Sequence, residues 1–121
     1  MHTISDKPFN IQERSFEFAC RIVRLHQHLY EHGGTGRALA DQILDAGTSI
    51  GANLEEADAG QSRRDFISKC GIALKEARET LYWLKLLVAC ELVSSAKITP
   101  LITEANELVA ILTTIVKSAR S

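Results

Sequence analysis

The sequence predicts an all-α protein, an antiparallel up-down-up-down four-helix bundle, and three observations predict it. Apolar residues recur at three- and four-residue steps in four separate stretches, the spacing that lines one face of a helix. No stretch shows the strict alternation of a half-buried strand. Only two prolines and seven glycines occur in 121 residues, so little interrupts helix formation. A chain of this length makes one domain and buries a core without staples.

Residues 1–10 are polar and hold Pro8. They read as a loose lead-in with no apolar stretch of the kind a secretory signal needs. The bundle domain is expected over residues 11–121. The first helix runs from Ile11 to about Glu31, with Phe16, Ala19, Ile22 or Val23, and Leu29 as its stripe. His32-Gly33-Gly34-Thr35-Gly36 then breaks it, because glycine supplies the backbone a helix end and tight turn require.

The second helix is expected from Arg37 to about Asp58. Leu39, Ile43, Ala46, Ile50, Asn53 and Ala57 alternate steps of four and three, the seam of a bundle helix. Ala59-Gly60-Gln61 connects it to Ser62, an N-cap with Asp65 three residues on as a variant capping box. The third helix follows to about Val93 on a stripe of Phe66, Cys70, Ala73, Ala77, Leu81, Leu84 and Val88, and Ser94-Ser95 ends it. Thr99-Pro100 starts the fourth, with proline in the first turn. Leu101, Ala105, Leu108, Leu112 and Ile115 carry its stripe, and it frays near Lys117–Ser121.

Two stretches are too apolar for helices with one wet face. Leu81–Cys90 is apolar except for Lys85, and Leu108–Val116 except for Thr113 and Thr114. A bundle helix needs roughly three apolar positions in seven. The surplus predicts a homo-oligomer that buries a second face, with Trp83, Leu86 and Ile111 at the subunit interface. The alternative is that the end of the third helix is central in its own bundle. The longest apolar run, Leu81–Val93, is interrupted by Lys85 and Glu91 and too short to cross a bilayer.

The formal charge is −1 and the pI near 6.4, without the basic excess of a dedicated nucleic-acid binder. Cys20, Cys70 and Cys90 lack a CxxC spacing and read as reduced core residues of a cytoplasmic protein. Asn53 reads as a polar core residue that sets register by bonding across the bundle, to Glu79 or to a hydroxyl such as Ser49. Glu56, Glu76 and Glu79 lack the Glu-x-x-His pairs of a di-iron bundle; Glu56 and Glu79 are expected with Asn53 as structural polar residues of the core. His28 and His32 share a helix face, with only Glu31 near to complete a metal site. No phosphate loop or nucleophile relay is present. An enzyme, a metal or a cofactor therefore has no support.

The segment SIGANLEEADAGQSRRDF, with Leu39 and Gln42 before it and Ile72-Ala73 and Glu79 after it, resembles a known family. It is the four-helix-bundle proteins encoded in intervening sequences of bacterial 23S rRNA genes (S23-like). The resembling residues are Ser49-Ile50-x-Ala52-Asn53-Leu54-x-Glu56, then Ser62, Asp65 and Phe66. They spread over roughly residues 15–90. The resemblance implies a left-handed antiparallel bundle that assembles into a ring, commonly a pentamer, without catalytic activity. It also brings in the related accessory protein of diversity-generating retroelements, and with it a role in binding RNA or DNA. This chain departs from the family at Leu44 and Asp45, where many relatives show two basic residues, at Ala57, and at Gly60 or Gln61. Ala57 stands in place of a glycine, and the departures at Leu44, Asp45 and Gly60 or Gln61 remove positive charge that nucleic-acid binding would use.

Charge is distributed unevenly. Residues 37–58 sum to −4 and residues 62–85 to +3. Arg63, Arg64, Lys69, Lys75 and Arg78 could form a basic collar in a ring and take phosphates without reading bases. They could equally face the acidic second helix, in the same subunit or the next. The expected partner is another copy of the chain together with RNA or DNA. The rival is a structural or protein-binding scaffold.

Overall fold

The computed structural model describes residues 10–60 and 62–121, so the expected lead-in lies outside the described residues except for Asn10. The described residues form four α-helices and no strand: α1 (Ile11–His32), α2 (Gly34–Asp58), α3 (Arg63–Ala89) and α4 (Ser95–Arg120).

Asn10 starts α1, its side-chain oxygen accepting from the Glu13 N–H at 3.2 Å, which satisfies one of the open donors of the first turn. The helix buries Ile11, Ser15, Phe18, Ile22, Leu25 and Leu29. This corrects the expected stripe: Phe16 is 69% exposed and Val23 41%. The chain has two apolar stripes on α1, and Phe18–Ile22–Leu25–Leu29, at steps of 4, 3 and 4, is the one the core takes.

The link to α2 is shorter than expected. Gly33 and Gly34 hold φ of 69° and 65°, which L side chains tolerate poorly, and α2 begins at Gly34 rather than Arg37. Arg37 instead closes α1, donating from Nε to the Tyr30 carbonyl at 3.0 Å. Helix α2 buries Ile43, Ala46, Ile50 and Ala57 as expected, but Leu39 and Asn53 are only half-buried, and Ala40, Gly47 and Leu54 complete the face.

The Ser62 hydroxyl caps α3 by accepting from the Asp65 N–H at 3.0 Å. The buried face is Cys70, Ala73, Leu74, Ala77, Thr80, Leu84 and Leu87, while Phe66 is exposed and Leu81 and Val88 half-buried. The helix stops at Ala89, short of Val93, because a Schellman turn closes it. Glu91 takes φ 59°, the Leu92 N–H reaches the Leu87 carbonyl at 2.9 Å and the Glu91 N–H the Val88 carbonyl at 3.0 Å.

Helix α4 begins at Ser95, before the expected Thr99. Pro100 therefore lies inside the helix and offers no N–H to the turn below it, while the Thr99 hydroxyl donates to the Ser95 carbonyl at 2.7 Å. Leu101, Ala105, Leu108 and Leu112 are buried as expected, joined by Ile98 and Val116. Helix α4, rather than the run in α3, is long and apolar enough to cross a membrane by length and composition. Its apolar stripe forms part of the core.

Sequential helices pack on one another, and α1 meets α4 along a slimmer contact. Arg14 reinforces that contact. Its guanidinium donates to both Glu104 oxygens at 2.9 and 2.7 Å and to Glu107 at 2.5 Å. The Glu104 bonds, then Glu107, push its pKa further above the ordinary arginine range. On the other side of α1, Gly47 lets α2 approach closely, since a Cβ there would lie 2.7 Å from Ile22 Cγ1.

Candidate docking and phosphate-binding surfaces

The five cations expected on α3 do not form one surface. Lys69 Nζ sits 2.8 Å from Glu56 Oε1 of α2, a bond that raises its pKa above the ordinary lysine value. Arg63 donates to the Ala119 carbonyl of α4 at 2.5 Å. Arg64, Lys75 and Arg78 are exposed, and among the described residues no carboxylate lies within ion-pair reach of them.

These two engaged side chains orient α3. Lys69 marks the flank toward α2 and Arg63 the flank toward α4. At about 100° per residue, Ile72, Glu79, Trp83 and Leu86 fall on the α2 side of the outward face. Arg78 and Lys85 fall on the α4 side, with Arg64, Lys75 and Tyr82 between. The outward face of α3 thus has an apolar flank and a basic flank. Ile72 is 38% and Tyr82 59% exposed, and Trp83 stands edge-on to Tyr82 at 5.3 Å between ring centroids.

Trp83, Leu86 and Ile111 were expected at the interface, and all three are half-buried. Trp83 and Ile111 pack against the chain's own core. More exposed apolar side chains lie on α1, where Phe16, Val23 and Tyr30 recur every seven residues at 69%, 41% and 37% exposure. Phe16, and Val23 as the alternative to Ile22, were expected in the core. Carboxylates edge this outer stripe at both ends. Glu55 shares a surface hollow with Phe16, and Asp41 accepts from the Tyr30 hydroxyl at 3.1 Å and pairs with His26 Nε2 at 3.0 Å. The His26 bond, followed by the Tyr30 bond, lowers the Asp41 pKa below the ordinary carboxylate value.

The polar residues expected in the core are not gathered there. Asn53 is half-buried and donates to the Ser49 carbonyl at 2.8 Å, one turn back on its own helix, rather than to Glu79 or the Ser49 hydroxyl. The Glu56 side chain is 63% exposed. Glu79 accepts from Trp83 Nε1 at 3.2 Å. Burial raises the carboxyl pKa of neighbouring Glu76, and Glu79 adds to that. Among the described residues, the fully covered polar side chains are Ser15 and Thr80, bonded to the Gln12 and Glu76 carbonyls of their own helices. Of the cysteines expected in the core, only Cys70 is buried; Cys20 is half-buried and Cys90 exposed.

A basic cluster that the sequence reading missed lies between α1 and the start of α4. Arg21, Arg24 and His28 line a cleft of about 230 Å³ with Lys97. The signal was present as Arg21-x-x-Arg24-x-x-x-His28 on one helical face, but only the fold brings Lys97 to it. His28 itself carries the next ring on the helix, its carbonyl accepting from His32 Nδ1 at 2.9 Å. Among the described residues no group of three His, Cys, Asp or Glu side chains could hold a metal ion.

Comparison with known proteins follows the fold. A family model described as 23S rRNA-intervening sequence protein matches residues 7–114. No curated protein matches the chain. Among solved structures, a protein with unknown function from the S23 ribosomal protein family of Bacteroides thetaiotaomicron VPI-5482 is similar at 42% identity. The alignment covers 88% of this chain and 97% of that one, with a TM-score of 0.81. With nearly the whole chain spanned by one family and the same fold found in a 42%-identical relative, the chain belongs to the 23S rRNA-intervening sequence protein family.

Proposed function

We propose that this protein is a non-enzymatic, self-assembling bundle, its helices running up-down-up-down, whose assembled form binds RNA or DNA through phosphates. The observation that carries the reading is the division of the outward face of α3 into an apolar and a basic flank. Ile72 and Leu86 are fourteen residues apart, as are Phe16 and Tyr30, so each stripe is about 21 Å long. The apolar flank of one copy's α3 fits the α1 stripe of the next. Lys75 then comes toward the acidic edge made by Asp41 and Glu55, which favours one orientation of docking.

Because the two surfaces differ, the contact is head-to-tail and closes into a ring when the rotation permits. The family resemblance points to five copies. Docking in this way leaves Arg78 and Lys85 at the rim, with Arg64 at its edge, repeated once per subunit. Cations repeated around a ring attract a polyanion although each chain is near neutral. The contacts are taken to be with phosphates, which carry no sequence information directly, and the reading places the particle in the cytoplasm.

Light scattering across a dilution series, followed by RNA and duplex DNA binding at two salt concentrations, tests this function. The proposal expects a multimer that binds with a steep negative salt dependence. A multimer that binds neither nucleic acid at low salt is instead a structural or protein-binding scaffold. A monomer at micromolar concentration contradicts the assembly.

A further inference from the structure

The cleft between α1 and α4 differs from the α3 surface in its charge and in its partners. Arg21, Arg24, His28 and Lys97 surround a floor made by Ile98 and Leu101, which are 2% and 6% exposed. No acidic side chain lines it. Among the described residues, no carboxylate lies within 4 Å of the charged groups of Arg21, Arg24 or Lys97. Cations held together without counter-charge repel one another, and an anion relieves that repulsion.

The local backbone adds to the same field. Lys97 and Ile98 belong to the first turn of α4, which contains no acidic residue and whose Ser94 makes no side-chain cap bond. The positive end of that helix dipole therefore stands uncompensated beside the cations. The cleft also lies on the α4 side of α1, as its lining shows, whereas Tyr30 bonds Asp41 of α2. Docking through the Phe16–Tyr30 stripe leaves it open.

We infer that this cleft is a phosphate-binding site for the backbone of a nucleic acid, with Arg21, Arg24 and Lys97 as its contacts. The inference rests on the proposed nucleic-acid function and assigns part of it to residues outside α3. Openness selects the polymer over a small phosphorylated molecule. Pockets for small ligands hold about 300 Å³ or more and enclose most of the ligand surface, while this cleft holds about 230 Å³ and two of its cations, Arg24 and Lys97, stand exposed at its rim. A backbone phosphate can enter it while the chain continues past, and the apolar floor lowers the competition from water.

Binding of a short fluorescent single-stranded RNA, measured against salt concentration, tests the assignment. The Arg21→Gln/Arg24→Gln/Lys97→Gln protein is compared with wild type, and light scattering and a thermal melt establish that assembly and fold are retained. Each lost phosphate contact removes about 0.7 from the slope of log affinity against log salt. The triple variant should therefore lose about 2 units of slope, and bind about a hundredfold more weakly near 0.1 M salt. The single variants Arg24→Gln and Lys97→Gln, at exposed positions, should each lose about 0.7 of slope, which tests the assignment even if the triple variant misfolds. Wild-type slopes in both would overturn it. A triple variant with wild-type slope and affinity overturns the inference while leaving the nucleic-acid function standing. A wild-type protein that binds neither RNA nor DNA at low salt overturns both.

Discussion

Gly47 and Glu91 show how single residues shape this bundle. Glycine in a helix interior costs about 1 kcal/mol relative to alanine, so its presence in the middle of α2 needs a reason. The reason is Ile22, whose Cγ1 and Cγ2 would lie 2.7 and 2.8 Å from a Cβ at Gly47. Ile22 is fully buried and its β-branch limits how far it can turn. Gly47→Ala should lower stability by about 1–2 kcal/mol, the clash exceeding the gain in helix propensity; urea unfolding measures it. Glu91 is the reverse case. It holds φ 59° at the end of α3, a conformation that costs an L-residue about 1–2 kcal/mol. Glu91→Gly should raise the unfolding free energy by about 1 kcal/mol, and an unchanged or lower value would show that the Glu91 side chain supplies a compensating bond. Neither effect was legible beforehand. A glycine in a seam and a glutamate in an apolar run look like interruptions until the neighbouring helix and the closing turn are in view.

At the level of the elements, the α3 start and the α2 end were legible because their signals are local. A serine three residues before an aspartate specifies its own bond. The α1 stripe was partly legible: Ile22 and Leu29 are buried as expected. Phe16 and Val23 satisfy helical spacing too, and periodicity alone does not say which of these residues the other helices cover. The α4 start was misread for a different reason. Thr99-Pro100 is a valid start signal, but Ile98 is 2% exposed, and burying it extends the helix one turn upstream of the proline. Arg14 is the feature of α1 that no local pattern could reveal, since its partners lie about ninety residues away. It bridges the slimmer α1–α4 contact through side chains about one-fifth exposed at Arg14 and Glu104. Arg14→Gln should cost about 1 kcal/mol at low salt and less in molar salt. A loss that ignores salt would assign the effect to packing of the arginine stem instead.

For the whole molecule, the surplus of apolar residues was legible in the sequence, but its address was not. The expectation named Trp83, Leu86 and Ile111; the largest exposures are at Phe16 and Tyr82. Long apolar runs mark where a helix is greasy all round, while the side chains that face solvent depend on which flank the bundle covers. The charge pattern moved in the same way. Two of the five α3 cations are engaged by neighbouring helices, and the α1–α4 cluster exists only because the fold brings Lys97 beside Arg21 and Arg24. The central claim is that two unlike apolar stripes join copies head to tail, and mixing two interface variants tests it most directly. Phe16→Glu/Val23→Glu spoils the α1 stripe, and Ile72→Glu/Leu86→Glu spoils the α3 stripe. Measured by light scattering, each variant alone should have the 13.4 kDa mass of one chain, and an equal mixture should form dimers of twice that mass through the one intact pair of surfaces. Two variants that stay monomeric when mixed, beside a wild type that assembles, would contradict the head-to-tail account.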